Sequence, residues 1–189
     1  MHREKTLVLI KHDGIARNLV GKIISRFEET GLKIIGMKMI WADEELAKKH
    51  YFLDEGWANA VFEKTKTTYE KEGKQFDYTD PLEFGHLIQS WNANFLREGP
   101  VIALVLQGPH AIEIVRKFVG STEPRQAIPG TIRGDFAMIE SYAIANKKER
   151  VIRNLIHASD STNSAQREIE LWFSPSEVHE YKKEIDKFF

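Results

Sequence analysis

Apolar residues along this chain follow two periodicities. Thr6 to Ile10 is a short, β-branched run closed by Asp13-Gly14, which predicts a buried strand. Leu19, Val20, Ile23, Ile24 and Phe27 then recur at helical spacing, and Gly31 supplies a stop. Leu32 to Ile40 predicts a second strand. Asp43 can cap a short helix whose early Glu44 and Glu45 and late Lys48 and Lys49 suit the helix dipole. Val101 to Leu106, introduced by Gly99-Pro100, is the clearest strand. Ile112, Val115, Phe118 and Val119 form a helical face that stops at Gly120. Ser121 to Thr131, with two prolines and Gly130, predicts an ordered loop, and Phe136 to Ser141 a further strand. Ser161 can cap a helix running to about Trp172. Ser174-Pro175-Ser176-Glu177 predicts the start of a final helix with Val178, Tyr181, Ile185 and Phe188 on one side.

Short strands thus alternate with helices, and two helices close the chain. Periodicity leaves two layouts open: a doubly wound parallel sheet, or an antiparallel sheet with helices on one face. Two stretches interrupt the alternation. Residues 54–98 are rich in aromatics, among them Trp57, Phe62, Tyr69, Phe76, Phe84, Trp91 and Phe95, and predict a packed, partly helical subregion. Residues 141–153 form a shorter, partly helical interruption. No internal repeat or low-complexity segment is present.

Composition narrows the class without naming an activity. At 189 residues the chain is long enough for one domain with a sizeable core. Its 42% hydrophobic and 29% charged residues are those of a globular protein, and no run is long and apolar enough to predict a membrane span. Lysine and arginine total 27 against 28 acidic residues, a formal charge of −1, which gives no broad field for nucleic acid or membrane. The absence of cysteine excludes disulfides, thiolate metal sites and a cysteine nucleophile, and suits a reducing cytoplasm. Function must therefore come from local motifs.

Gly21-Lys22 invites comparison with a phosphate-binding P-loop, but Ala16 and Ile23 occupy two required positions, so the pair belongs to the first helix. His157 lies in NLIHASDS, between an expected loop and a helix start, where many histidines are only surface residues. Asn154, Ser159, Asp160 and Ser161 surround it with donors and acceptors, and Glu168 on the following helix can orient its ring. A histidine held by a carboxylate has a fixed tautomer and one nitrogen left as a nucleophile. Thr131-Ile132-Arg133-Gly134-Asp135 follows a Pro-Gly turn, and an arginine in a stiff loop suits phosphate oxygens as well as solvent. Lys11 ends the first strand and can meet a phosphate there. The other histidines make no HxxxH or HExxH spacing, so no dedicated metal ligand set is predicted.

Together these pieces resemble the nucleoside diphosphate kinase family. Lys11-His12-Asp13-Gly14 is similar to the family's KPDG, and His50-Tyr51 to its HY pair. Gly130 to Phe136 matches GTIRGDF in full, and NLIHASDS followed by Arg167 to Phe173 is similar to NxxHxSDS…EIxLWF. The order is right, and only the two interruptions lie outside the likeness, which resembles an archaeal-type member with insertions. The resemblance implies one kinase domain over 1–189 and an α+β, ferredoxin-like antiparallel sheet (βαββαβ) covered by helices. It implies ping-pong transfer of the γ-phosphate of a nucleoside triphosphate, typically ATP, to a nucleoside diphosphate, through phosphorylated His157.

By the same carry-over Arg116, Thr122 and Arg133 hold phosphates, while Lys11 and Asn154 reach the ribose hydroxyl and the transferred phosphate. Tyr51 lies beside the histidine, and Ser159 and Glu168 support and orient it. Mg2+ would be held mainly through the nucleotide phosphates. The partners implied are nucleoside tri- and diphosphates and further copies of the chain, in a hexamer, with no membrane and no obligatory nucleic acid. The place is the cytoplasm.

Two departures bear on the site. His12 replaces a proline and with it some stiffness beside Lys11. The family stacks the base on a phenylalanine, and counting back from Gly99-Pro100 puts Ile88 there, with Phe84, Trp91 and Phe95 as neighbouring candidates; broad base tolerance is expected. A catalytically weak nucleotide-binding or regulatory module of the same fold is the alternative, motivated by His12 and by an insertion large enough to cover a cleft. A ferredoxin-like domain with an unrelated structural role is the third.

Overall fold

The computed structural model describes residues 3–71 and 73–184. Four strands, β1 (Glu4–Ile10), β2 (Lys33–Ile40), β3 (Val101–Gly108) and β4 (Ile156–Ala158), form one sheet in the order β2-β3-β1-β4. Every pairing is antiparallel. The helices are α1 (His12–Ala16), α2 (Val20–Glu28), α3 (Glu44–His50), α4 (Glu55–Lys71), α5 (Pro81–Arg97), α6 (Ala111–Val119), α7 (Ile132–Phe136), α8 (Tyr142–Lys147) and α9 (Thr162–Trp172). The connectivity is the βαββαβ of the ferredoxin-like layout.

Helices cover both faces of the sheet, not one. Val8, Ile10, Leu104 and Leu106 pack with Ile23 and Phe27 of α2 and Val115 and Val119 of α6. Leu7, Leu9, Ala103 and Val105 point the other way, against Ala47, Ala93, Leu96 and Trp172 of α3, α5 and α9. This two-sided burial explains why Leu7-Val8-Leu9-Ile10 is continuously apolar and fully buried although its sheet is antiparallel.

Local capping is as the sequence predicts. Asp43 accepts from the Leu46 N–H at the start of α3, and Ser161 from the Ser164 N–H at the start of α9. The interruption at 54–98 is α4 packed on α5, with Phe62, Phe76 and Phe84 ring to ring beyond the sheet. The interruption at 141–153 carries α8.

Two expectations are corrected. Residues 136–141 are not a strand: Thr131 caps α7 by accepting from the Gly134 N–H, so Phe136 ends a helix. The next residues join no strand, and Met138 is 66% and Ile139 94% exposed. The fourth strand is the three-residue β4 instead, too short and too polar to make a run of its own. The final helix is also absent among the described residues. The capping box at Ser174 and Glu177 forms, but only one 3-10 turn follows. The chain then lies along β2, where the His179 N–H donates to Ile35 O and the Tyr181 hydroxyl to Ile34 O. Ile185 and Phe188 lie outside the described residues.

Candidate active site

β4 adds to the edge of β1 with Leu9 opposite His157. The chain reaches it through Leu155, whose φ of 67° is left-handed and unusual for a branched apolar residue. The turn is fixed from both sides: Asp13 accepts from the Leu155 N–H at 3.1 Å and the Lys11 N–H donates to Leu155 O at 2.8 Å. Such conformations cost on the order of 1–3 kcal/mol and persist where surrounding contacts impose them. Asp13 thus positions the segment that carries Asn154 and His157, a role absent from the motif reading.

His157 Nε2 lies 2.9 Å from Glu168 Oε2, and the Ser159 hydroxyl donates to the same oxygen at 2.7 Å. Ser159 is fully buried and receives the Leu7 N–H at 3.2 Å. A carboxylate can only accept, so Nε2 carries the ring proton and Nδ1 keeps its lone pair. Nothing among the described residues bonds to Nδ1. Glu168 is buried, and Arg167 approaches its other oxygen at 3.6 Å.

His50 packs edge-on against His157, with ring centroids 4.5 Å apart. Its Nδ1 accepts from Trp172 Nε1–H at 3.2 Å, which leaves the proton on a buried, unpartnered Nε2. Burial, and then the charges of His157, Lys11 and Arg167, hold His50 well below the usual imidazole range, so it is neutral. The ligand-type atoms of His50, His157 and Glu168 lie within 4.8 Å of one another. Their side chains are already engaged with one another and with Ser159 and Trp172, and a metal seated there would take His157 from Glu168. The pair His50-Tyr51 is legible as a motif; that His50 itself packs against His157 is not.

Tyr51 also faces His157's cleft, and its buried hydroxyl has no hydrogen-bond partner among the described residues. Burial, then the Glu168 carboxylate, raises its phenol above the usual range, so the group is a waiting donor. Lys11 Nζ donates to Asn154 Oδ1 at 2.9 Å, and Asn154 Nδ2 to Thr122 O at 2.9 Å. Burial draws the Lys11 ammonium down to about 8, with Asp13 opposing and Arg133 assisting the shift. Arg133 donates to Asn154 O, Gly120 O and Ile156 O, using three of its five N–H groups on main chain. Burial and the neighbouring Arg116 bring it down to about 10. Arg116 is exposed and touches Ala158 O at 3.5 Å.

One cleft of about 380 Å³ gathers His157, Glu168, Lys11, Tyr51, Arg116, Thr122, Arg133, Asn154 and Ile88; Ser159 lies buried beneath it. Cationic Lys11, Lys64, Arg116, Arg133 and Arg167 face only two carboxylates there, Asp160 and Glu168. That balance suits a polyanion. Apolar lining comes from Phe52, Trp57, Val61, Ile88, Val151 and Ile152. The other base-side candidates are elsewhere. Phe84 is buried against Phe62, Phe95 packs under Lys11 and His12, and Trp91 lines a separate depression beside Glu98. His12 is anchored by Phe95, at 4.5 Å between ring centroids, and by Glu98 at 3.0 Å.

The comparisons with known proteins agree with this arrangement. The family model for nucleoside diphosphate kinase matches residues 4–73 and 85–178. The nucleoside diphosphate kinase of Pyrobaculum aerophilum is 44% identical over 94% of this chain and 98% of its own length. That of Pyrococcus furiosus is 45% identical over 98% of this chain and 92% of its own. A crystal structure of an NDP kinase from Pyrobaculum aerophilum superposes with a TM-score of 0.90 at 43% identity, covering 95% of this chain and all of that one. A transition-state mimic of the Borrelia burgdorferi enzyme with vanadate and ADP bound superposes at 0.80 and 38% identity, over 97% of this chain and 95% of that one. The chain belongs to the nucleoside diphosphate kinase family, enzymes of phosphotransfer between nucleotides.

Proposed function

We propose that His157 is the phosphorylated residue of a ping-pong nucleoside diphosphate kinase, and that the cleft around it seats both nucleotides in turn. The observation that carries this reading is the His157–Glu168 contact at 2.9 Å, which puts the proton on Nε2 and leaves Nδ1 as a nucleophile among phosphate-binding groups. In the first half-reaction the Nδ1 lone pair attacks the γ-phosphorus. The bond from phosphorus to the bridging oxygen breaks, and its electrons leave on the nucleoside diphosphate. The positive charge this gives the ring is balanced by Glu168. In the second half-reaction a terminal oxygen of the acceptor diphosphate attacks phosphorus, and the P–N electrons return to Nδ1.

A loose phosphoryl transition state asks for positioning and charge neutralisation. Lys11, Arg116 and the two free N–H groups of Arg133 supply the charge, and the orphaned Tyr51 hydroxyl supplies a donor to a phosphate oxygen. Thr122 and Asn154 complete the phosphate and ribose contacts. Ile88 and Val151 offer apolar contact to the base, which fits tolerance of different bases. The donor set fits Mg2+ carried on the nucleotide: Glu168 is committed to His157, and Asp160 is the one further carboxylate of the cleft. When bound, the ion neutralises phosphate charge. The alternative of a weak or regulatory module has no support in the cleft, because His12 is anchored and Lys11 holds its Asn154 bond.

We read the chain as one kinase domain, 1–189, with insertions at about 54–98 and 141–153; the family match itself breaks between 73 and 85. Exposed Met37 and Met39 on edge strand β2, Trp41 just after it, and Ile128, Met138 and Ile139 near the phosphate loop favour a homo-oligomer, for which we propose the hexamer. No helix among the described residues is long and apolar enough to cross a membrane. With its cysteine-free sequence we assign the chain to the cytoplasm.

The test is incubation with γ-labelled ATP and Mg2+ without acceptor. Label on the chain that is acid-labile, absent in His157→Ala and transferred to added GDP supports the reading. Equal labelling of His157→Ala and wild type overturns it.

A further inference from the structure

Helix α4 and helix α8 belong to the two segments that interrupt the core, yet they meet over the nucleotide cleft. Lys64 of α4 places its Nζ 5.4 Å from the centre of the Tyr142 ring of α8, and both side chains line the cleft with Arg116, Thr122 and Arg133. We propose that Lys64 is a further phosphate-contacting residue of this cleft, held ready on the face of Tyr142 until a nucleotide arrives. The inference rests on the nucleotide reading of the cleft and adds to it a cation supplied by the longer interruption.

Tyr142 is a fixed platform. Ser141 caps α8 by accepting from the Ile144 N–H, and the Tyr142 N–H donates to Glu123 Oε1 at 3.2 Å. Glu123 is 3% exposed and adjoins Thr122, so the ring is tied to the phosphate loop. Lys64 is the mobile partner. It is exposed, and no carboxylate of the described residues lies within ion-pair distance. An aromatic face attracts an exposed ammonium only weakly and does not neutralise it. A polyphosphate entering beside Arg116 and Arg133 would compete successfully for that charge. The one-sided lining of the cleft points the same way, since Lys64 is one of five cations there facing two carboxylates. Moving Lys64 from ring to phosphate would exchange its contact with α8 for one with the nucleotide.

Calorimetric titration of the full chain with ADP plus Mg2+, and separately with adenosine, tests this. Lys64→Ala should bind ADP about tenfold more weakly than wild type, a loss of the size of one charge-assisted hydrogen bond. Its adenosine affinity should not change, and Lys64→Arg should stay within about threefold of wild type for ADP. The dependence of log K for ADP on log salt should be shallower in Lys64→Ala. Wild-type binding of ADP with Lys64→Ala within twofold of it overturns the inference alone. An equal loss for ADP and adenosine overturns it as well, by moving Lys64 off the phosphates. No ADP binding by wild type overturns the nucleotide reading and this inference with it.

Discussion

Lys11 and Asn154 meet at 2.9 Å although 143 residues separate them, and the contact joins the end of β1 to the turn that presents His157. Burial draws the lysine down to about 8, so the cation we propose for phosphate binding is held in an unfavourable place. In the unliganded protein the charge is lost as pH rises through about 8. The expected outcome is a fall of kcat/KM above that pH, up to tenfold per unit, with Lys11→Arg moving the fall upward. A profile flat to pH 10 would count against Lys11 as the titrating group.

The same depressed value carries a stability prediction. Below about pH 8 both native and unfolded Lys11 are charged, and the full desolvation penalty is present; between about 8 and 10.5 the unfolded chain binds more protons, so stability rises with pH. The relief is on the order of 3 kcal/mol, partly offset by other lysines. Lys11→Met should therefore melt no lower than wild type at pH 7 while losing phosphotransfer by about 10²-fold or more. Thermal melts at pH 7 and 9.5 beside steady-state assays measure both.

Glu168→Gln should slow phosphorylation of His157 by about 10²–10⁴-fold, because an amide can donate to Nε2 and move the ring proton to Nδ1. Rapid-quench labelling with ATP reads the first half-reaction directly. Retention of the wild-type burst would mean that the carboxylate does not set the tautomer.

Gly120 has φ of 83°, and a Cβ there would sit 2.5 Å from Thr131 Oγ1, the atom that caps α7. Gly120→Ala should destabilise by roughly 1–3 kcal/mol and loosen Arg133, which bonds Gly120 O. A lowered melting temperature together with weaker ADP binding is expected.

His12→Pro should fold and turn over within about threefold of wild type. Lys11 already has φ −76° and ψ 166°, the extended geometry favoured before proline, and His12 is the first residue of α1, where proline is tolerated. The half-exposed contact to Glu98 is worth under about 1 kcal/mol. A large loss of activity would show that the histidine positions Lys11.

Ile88→Phe should tighten adenosine and ADP alike by about tenfold, since stacking on an aromatic is worth about 1–3 kcal/mol per base. An unchanged affinity for both would place the base away from α5.

Much of the molecule is written locally. Caps at Asp43 and Ser161, the strand at Val101 and the stop at Gly120 follow from neighbours a few residues away, because φ, capping and periodicity are short-range properties. The ordered motifs around Lys11, Tyr51, Arg133 and His157 carried the family and its chemistry for the same reason. What needed the tertiary structure was every relation made across the chain. β4 exists only because β1 offers it an edge, and beyond Val178 the chain bonds to β2 where a helix would bond to itself. That Ile88 lines the cleft while Phe84 and Phe95 do not turns on which side of α5 faces the cleft and which faces the core, and α5 is placed by α3 and α4. His50, Asp13 and Lys64 join the site through contacts with residues far away in sequence, where hydrogen bonding and burial are decided by packing and spacing along the chain is silent.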